Sequence, residues 1–185
     1  MHEMKRFSFY DRYGRADLYK DYDEAGADVT AFVRSGDGGL MVLDFSHITF
    51  LGYSYSKATV SPAVRLVASD PESRSQLVMY AEPVLDLEEL EAALVRSKQS
   101  IIVLNELNGR PAHGRIVGVL PDHLRQTWEL VALRQTPTTA ELAAELDESL
   151  QNTNQRLKRL ESAGLLTREK TTSPSGGWEW KNKVV

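Results

Sequence analysis

The apolar positions of this chain follow two different rhythms. Up to about residue 120 they come in short, near-continuous runs: residues 40–45 (Leu-Met-Val-Leu-Asp-Phe), 76–80, 100–104 and 115–120. Runs of this length bounded by turn residues are the mark of strands buried in a sheet. Between them the spacing turns helical. Residues 23–34 put Val29, Phe32 and Val33 on one side, and the Gly-rich 35–39 ends that stretch. Residues 53–68 form a second helical stretch, with Ser61-Pro62 starting or kinking it. Asp86 and Glu89 cap a third through Leu87, Leu90, Ala93 and Leu94. Residues 5–10 alternate weakly and suit an edge strand, and Asn108-Gly109 is a tight-turn signal. Strand and helix in alternation predict an α/β unit with one mostly parallel sheet.

From Asp122 onward the pattern is mostly helical. Leu124, Trp128 and Val131 share one face of residues 122–134. Thr138 and Glu141 have the spacing of a capping box, and Leu142, Ala143 and Leu146 follow as an apolar face. After a turn at 147–149, Ser149 is suited to cap a second helix. Leu150, Thr153, Leu157 and Leu160 recur at three- and four-residue steps and predict its buried stripe. Gly164 is placed to stop it in the left-handed conformation. Leu165 and Leu166 start an extended segment running to Arg168 and Lys170. Turn chemistry fills 171–177, and Trp178-Glu179-Trp180-Lys181 alternates as a returning strand. A long helix with a polar leading edge, held against a shorter one, is a geometry that enters the DNA major groove.

Charge sharpens that expectation. The 185-residue chain is acidic, net −4. From Ser149 onward seven basic residues face three acidic ones, so that segment is +4 and the rest is −8. A basic end on an acidic body suits a module that meets phosphates with one face. The amides Gln151, Asn152, Asn154 and Gln155 lie at the start of the same helix, and such side chains pair with adenine edges.

At these residues a resemblance becomes specific. Residues 138–170 look like the winged helix-turn-helix of bacterial MarR- and ArsR-type regulators, with 152–166 matching the recognition helix and its exit. The preceding support helix falls at 122–134, so the likeness covers about 122–185. It implies double-stranded DNA as partner, with a recognition helix at 149–163. The expected contact set is Ser149, Gln151, Asn152, Asn154, Gln155, Arg156, Arg159, Arg168 and Lys170. Within it, Gln151, Asn152 and Gln155 would meet base edges, and Arg156, Arg159 and Lys170 phosphates. A second resemblance covers about 42–81. Residues 43–51 look like the strand and turn of STAS domains, the fold of anti-sigma-factor antagonists. There the turn leads to an Asp-Ser-Ser-Gly stretch with a phosphorylated serine. Here the matching positions are Gly52, Tyr53, Ser54 and Tyr55, so only Ser54 is kept. Read from the residues alone, Ser54 is an N-cap beside two packing tyrosines.

Other chemistry is sparse. The chain has no cysteine, hence no disulfide framework and no thiolate zinc site. His2, His47, His113 and His123 have no metal spacing. Asp44 ends a strand, where it suits a turn acceptor, and Gly36 to Gly39 precede a strand rather than a helix, the wrong context for a phosphate loop. The polar loop 105–110 suits a hairpin end. No catalytic residue, cofactor or metal is expected. No apolar run is long enough to cross a bilayer, and residues 1–7 lack a signal-peptide core, so a cytoplasmic prokaryotic protein is the simplest account. The expectation is a STAS-like α/β domain at 1–120 and a winged helix-turn-helix domain at 121–185, together a DNA-binding transcription regulator. The first domain would serve dimerisation, partner binding or signal input. A homodimer is expected, paired through the turn at Tyr53 and Tyr55, the hairpin at Asn108-Gly109 or the 122–134 helix. The alternative is a partner-switching regulator whose domains bind proteins and not DNA.

Overall fold

The computed structural model describes residues 4–36, 38–70, 75–174 and 176–184. The first part of the chain builds a five-stranded sheet. Its strands are β1 (Lys5–Ser8), β3 (Leu40–Phe45), β5 (Gln76–Ala81), β6 (Ser100–Leu104) and β7 (Arg115–Gly118), in the order β1-β3-β5-β6-β7. All neighbours are parallel except β6 and β7. Two short strands, β2 (Asp17–Leu18) and β4 (Phe50–Leu51), pair separately. The helices are α1 (Phe9–Tyr13), α2 (Tyr22–Arg34), α3 (Tyr53–Ser69) and α4 (Glu88–Arg96). The second part holds α5 (Asp122–Arg134), α6 (Thr139–Glu145), α7 (Leu150–Ser162) and an antiparallel hairpin of β8 (Thr167–Thr172) and β9 (Trp178–Lys183). The mixed α/β architecture with a C-terminal helix-turn-helix is as expected.

The near-continuous apolar runs have a plain cause: both faces of the sheet are covered. Side chains alternate across a strand. Met41, Leu43, Leu77, Met79, Ile101 and Val103 therefore join one core cluster with residues of α2, α3 and α4. Val42, Val78, Ile102, Leu104 and Ile116 belong to a second cluster. Their partners there are Leu124, Trp128 and Val131 of α5, Leu142 of α6, Leu157 and Leu160 of α7, then Leu165 and Leu166. The C-terminal helices are thus the second layer over the sheet. A buried polar bond crosses the same junction, from Gln76 Nε2 of β5 to the Leu165 carbonyl at 3.2 Å.

Several local expectations are corrected. Ser8 caps α1, so the edge strand stops there and does not reach Tyr10. Pro62 lies inside α3. Gly52, not Ser54, is the N-cap of α3, and Ser54 is exposed in its first turn. Tyr55 is fully buried beneath that turn, so it offers nothing to a pairing surface. Asp86 Oδ1 accepts from Glu88 N at 2.9 Å, but the N-cap of α4 is Leu87 and no reciprocal bond from Glu89 closes a box. Asn108-Gly109 does fall in a tight turn, Gly109 N donating to the Glu106 carbonyl at 2.8 Å, but the β6–β7 connection runs on through a 3-10 turn at Pro111–His113. Asp44 does serve its turn, accepting from Ser46 N at 2.8 Å.

The shared cluster has a measurable consequence. A chain cut after residue 120 would leave Val42, Val78, Ile102, Leu104 and Ile116 facing water. That fragment is expected to bind a hydrophobic dye and to melt without a cooperative transition, because an apolar face of this kind must be covered. A sharp melt matching that of the whole chain, with no dye binding, would show that the sheet needs no second layer. In the whole chain, Leu157→Ala is expected to cost about 2–5 kcal/mol in urea unfolding, through lost burial and a cavity.

Candidate nucleic-acid interface

The exposed helix α7 is built by caps and by an uneven split of its faces. Thr138 Oγ1 accepts from Glu141 N at 3.2 Å, and Glu141 Oε2 accepts from Thr138 N at 2.7 Å, closing the capping box of α6. Those bonds hold the Glu141 carboxyl below its usual range, the backbone bond from Thr138 contributing most. Ser149 Oγ accepts from Asn152 N at 3.2 Å and starts α7. Gly164 follows α7 with φ of 72°, the left-handed stop. Thr153, Leu157 and Leu160 are buried as the spacing predicts. Leu146 is only half-buried. Leu150 departs from the stripe and is 59% exposed. It sits at the first turn of α7, where it lines an open groove of about 430 Å³ with Trp178 and Trp180.

On the other side of α7, Gln151, Asn152, Gln155, Lys158 and Arg159 are exposed. Neither Lys158 nor Arg159 has an ion pair among the described residues. The acidic residues of the neighbouring helix and turn are mostly consumed inside the module. Glu141 closes the cap. Glu145 pairs with Arg134 at 2.6 Å, and Glu148 pairs with Arg156. Asp147 alone among them is left without such a partner, in the turn at φ 52°. The solvent face of α7 therefore keeps its cations and amides free of nearby neutralising bonds.

Not every expected contact residue lies on that face. Arg156 reaches inward, pairing with Glu148 and donating to the His123 carbonyl at 3.3 Å, which braces α7 against α5. Arg168 is 7% exposed. Its Nε donates to Asn182 Oδ1 at 3.0 Å and its Nη2 to Asn154 Oδ1 at 2.8 Å. Its guanidinium also lies 4.8 Å from the Trp180 ring centre. Burial pulls the Arg168 guanidinium below its usual value, with nearby Glu161 opposing, and burial raises the Glu161 carboxyl. Arg168 and Asn154 together clamp the hairpin to α7. Ser149 is exposed and serves as the cap, and Lys170 is exposed with its ammonium 4.8 Å from the Trp178 ring centre.

The sequence offered signals for these placements. Leu166, Arg168 and Lys170 fall on one side of an alternating strand, so Arg168 follows the buried Leu166 inward. Arg156 stands three residues after Thr153 and four before Leu160, on the flank of the stripe. Lys158, on the exposed face, was missed although its spacing from Gln151 and Gln155 was readable. Asn182, fully buried and donating to the Pro137 carbonyl at 3.1 Å, had no local signal. Among the described residues no group of His, Asp and Glu is arranged to hold a metal ion, and no helix is long and apolar enough to cross a membrane.

A family model described as a helix-turn-helix domain matches residues 128–169, which spans the end of α5, α6, α7 and the start of β8. No curated protein and no solved structure matches the chain. The match establishes a C-terminal helix-turn-helix domain and supports a DNA-binding regulatory kind of function.

The clamp can be separated from the exposed face by stability. Arg168→Ala leaves Asn154, Asn182 and Glu161 without their partner, and urea unfolding is expected to show a loss of roughly 3 kcal/mol. Arg159→Ala, on the solvent face, is expected to stay within about 0.5 kcal/mol of the parent. Equal stability of the two variants would remove Arg168 from the core of the module.

Proposed function

We propose that the protein is a DNA-binding transcription regulator that sets α7 into the major groove and uses the β8–β9 hairpin as a basic wing. The observation that carries this reading is the solvent face of α7, where Gln151, Asn152, Gln155, Lys158 and Arg159 lie exposed beside a neighbouring helix whose glutamates are internally paired. Gln151, Asn152 and Gln155 are assigned to base edges. Arg159, Lys158 and Lys170 are assigned to phosphates, while Arg156, Arg168 and Asn154 hold the reader in shape. The winged helix likeness to MarR- and ArsR-type regulators supports this assignment, and so does the +4 charge of the segment against −8 for the rest.

The preceding α/β part, with its STAS-like strand and turn, would supply dimerisation, partner binding or signal input. One helix reads a short half-site, and two-fold dimers are the usual remedy. The exposed Ser54 turn with half-buried Tyr53, the Asn108-Gly109 loop and α5 remain the candidate pairing surfaces; Leu133 of α5 is 72% exposed. The alternative, protein partners in place of DNA, is favoured by one observation: Leu150, Trp178 and Trp180 are all exposed around one groove beside the reading helix.

Titration with a duplex from the upstream region, at two salt concentrations, separates the two. Arg159→Ala and Lys170→Ala are each expected to weaken binding to every sequence and to lower the salt slope by about 1. Gln155→Ala is expected to relax preference at one position, by roughly 1–3 kcal/mol. Duplex affinity that none of these changes alters would remove α7 as the reader and favour the protein-binding alternative.

A further inference from the structure

Where the end of α7 meets the sheet layer, two cationic surfaces face each other. A cleft of about 590 Å³ opens between α3, the α4–β6 turn, the start of α5 and the second half of α7. Arg65 and Lys98 enter it from the α/β part, and Lys158 and Arg159 from α7. Among the described residues, none that lines it is acidic. All four cations are exposed, and none has an ion pair among the described residues. This is unexpected on charge alone, because Arg65 and Lys98 belong to the part of the chain that is net −8. An acidic body meeting a basic helix would ordinarily do so through carboxylates. Like charges set face to face across a junction are repulsive unless something negative lies between them.

The backbone adds a second observation. Lys98 sits just past the end of α4 with φ of 53°, in the left-handed position where glycine is the usual residue. A lysine held there costs more than glycine would, yet it places an ammonium at the mouth of the cleft. The floor is apolar, with buried Val64 and Leu124 and the more open Val119. A volume of this size with an apolar floor and a few convergent charged groups has the features of a small-molecule site.

We propose that this cleft binds a phosphorylated small molecule bearing at least two negative charges, and that its binding opposes DNA binding. The anion would bridge Arg65 and Lys98 on one side to Lys158 and Arg159 on the other. It would neutralise two of the cations on α7 and tie the helix to α3. The regulatory half rests on the DNA-binding reading above; the site itself does not.

The whole chain is titrated calorimetrically with inorganic pyrophosphate and with ATP, and separately with duplex DNA with and without saturating ATP. Saturable binding of either anion is expected, weakened at least tenfold by Arg65→Ala and by Lys98→Gly. The glycine variant relieves the left-handed strain as it removes the charge, so its loss of binding is not a folding defect. Saturating ATP is expected to weaken DNA binding at least threefold in the parent and not in Arg65→Ala. No saturable heat at millimolar anion, or affinities unchanged in both variants, overturns the site. If instead the anions fail to bind while both variants lower DNA affinity and its salt slope, the cations serve DNA phosphates and the proposal is overturned. An unchanged DNA affinity under ATP overturns the regulatory half. Anion binding lost in both variants, by a chain that binds no duplex, upholds the site and overturns only the DNA-binding reading.

Discussion

The carbonyl oxygen of Leu165 accepts two side-chain hydrogen bonds, and the position of α7 depends on it. Trp128 Nε1 of α5 donates at 3.0 Å, and Gln76 Nε2 of β5 donates at 3.2 Å. Both donors are buried, where an unpaired polar group is costly. The acceptor lies just beyond Gly164, whose left-handed turn redirects the chain from α7 into β8. Leu165 and Leu166 then bury their side chains in the cluster that also holds Val42, Val78 and Ile102 of the sheet. One backbone group therefore fixes the exit of α7 to the support helix and to the central strands at once. The exit of the helix cannot shift relative to the sheet without breaking a buried bond.

Electrostatics is arranged around that anchor by local pairing rather than by composition. The α6 region is rich in glutamate and lies beside the basic helix, which would ordinarily cancel its field. Each of those glutamates is instead occupied: one by backbone and hydroxyl donors at the cap, two by arginines. The exposed Arg134–Glu145 pair is worth little in stability, while the Arg156–Glu148 pair is half-buried. Their effect is to bring acidic groups to defined partners and leave the cations of the α7 solvent face unmatched. That is a field directed outward, of the kind that steers a charged partner.

Much of this was legible from spacing. The capping box at Thr138 and Glu141, the Ser149 cap, the Gly164 stop and the buried Leu157 and Leu160 all follow from local rules, because each depends on neighbours within four residues. The α5 helix was read from its apolar face for the same reason. The roles of Arg156 and Arg168 were not separated from their basic neighbours, because a charge count treats every guanidinium alike. Their inward course depends on partners distant in sequence: His123 for one, Asn182 for the other. Leu150 fits the stripe by period but lies at the first turn of the helix, so period alone misplaces it. The two-sided burial of the sheet was visible as continuous apolar runs. What covered the second face was not, since nothing local says that the C-terminal helices pack there.

That covering layer changes what α7 is. Its buried stripe, Thr153, Leu157 and Leu160, belongs to the core, while Gln151, Asn152 and Gln155 face solvent along the same rod. A helix is stiff along its axis and transmits displacement of one end to the other. A helix mounted on a flexible tether would average over orientations and give up entropy on binding. Mounted on the sheet, it presents its amides in one orientation before any partner arrives. The same rigidity means that a charge placed at the far end of α7, beside α3, acts on a helix held in one place, through its field alone and without a hinge between the two parts of the chain.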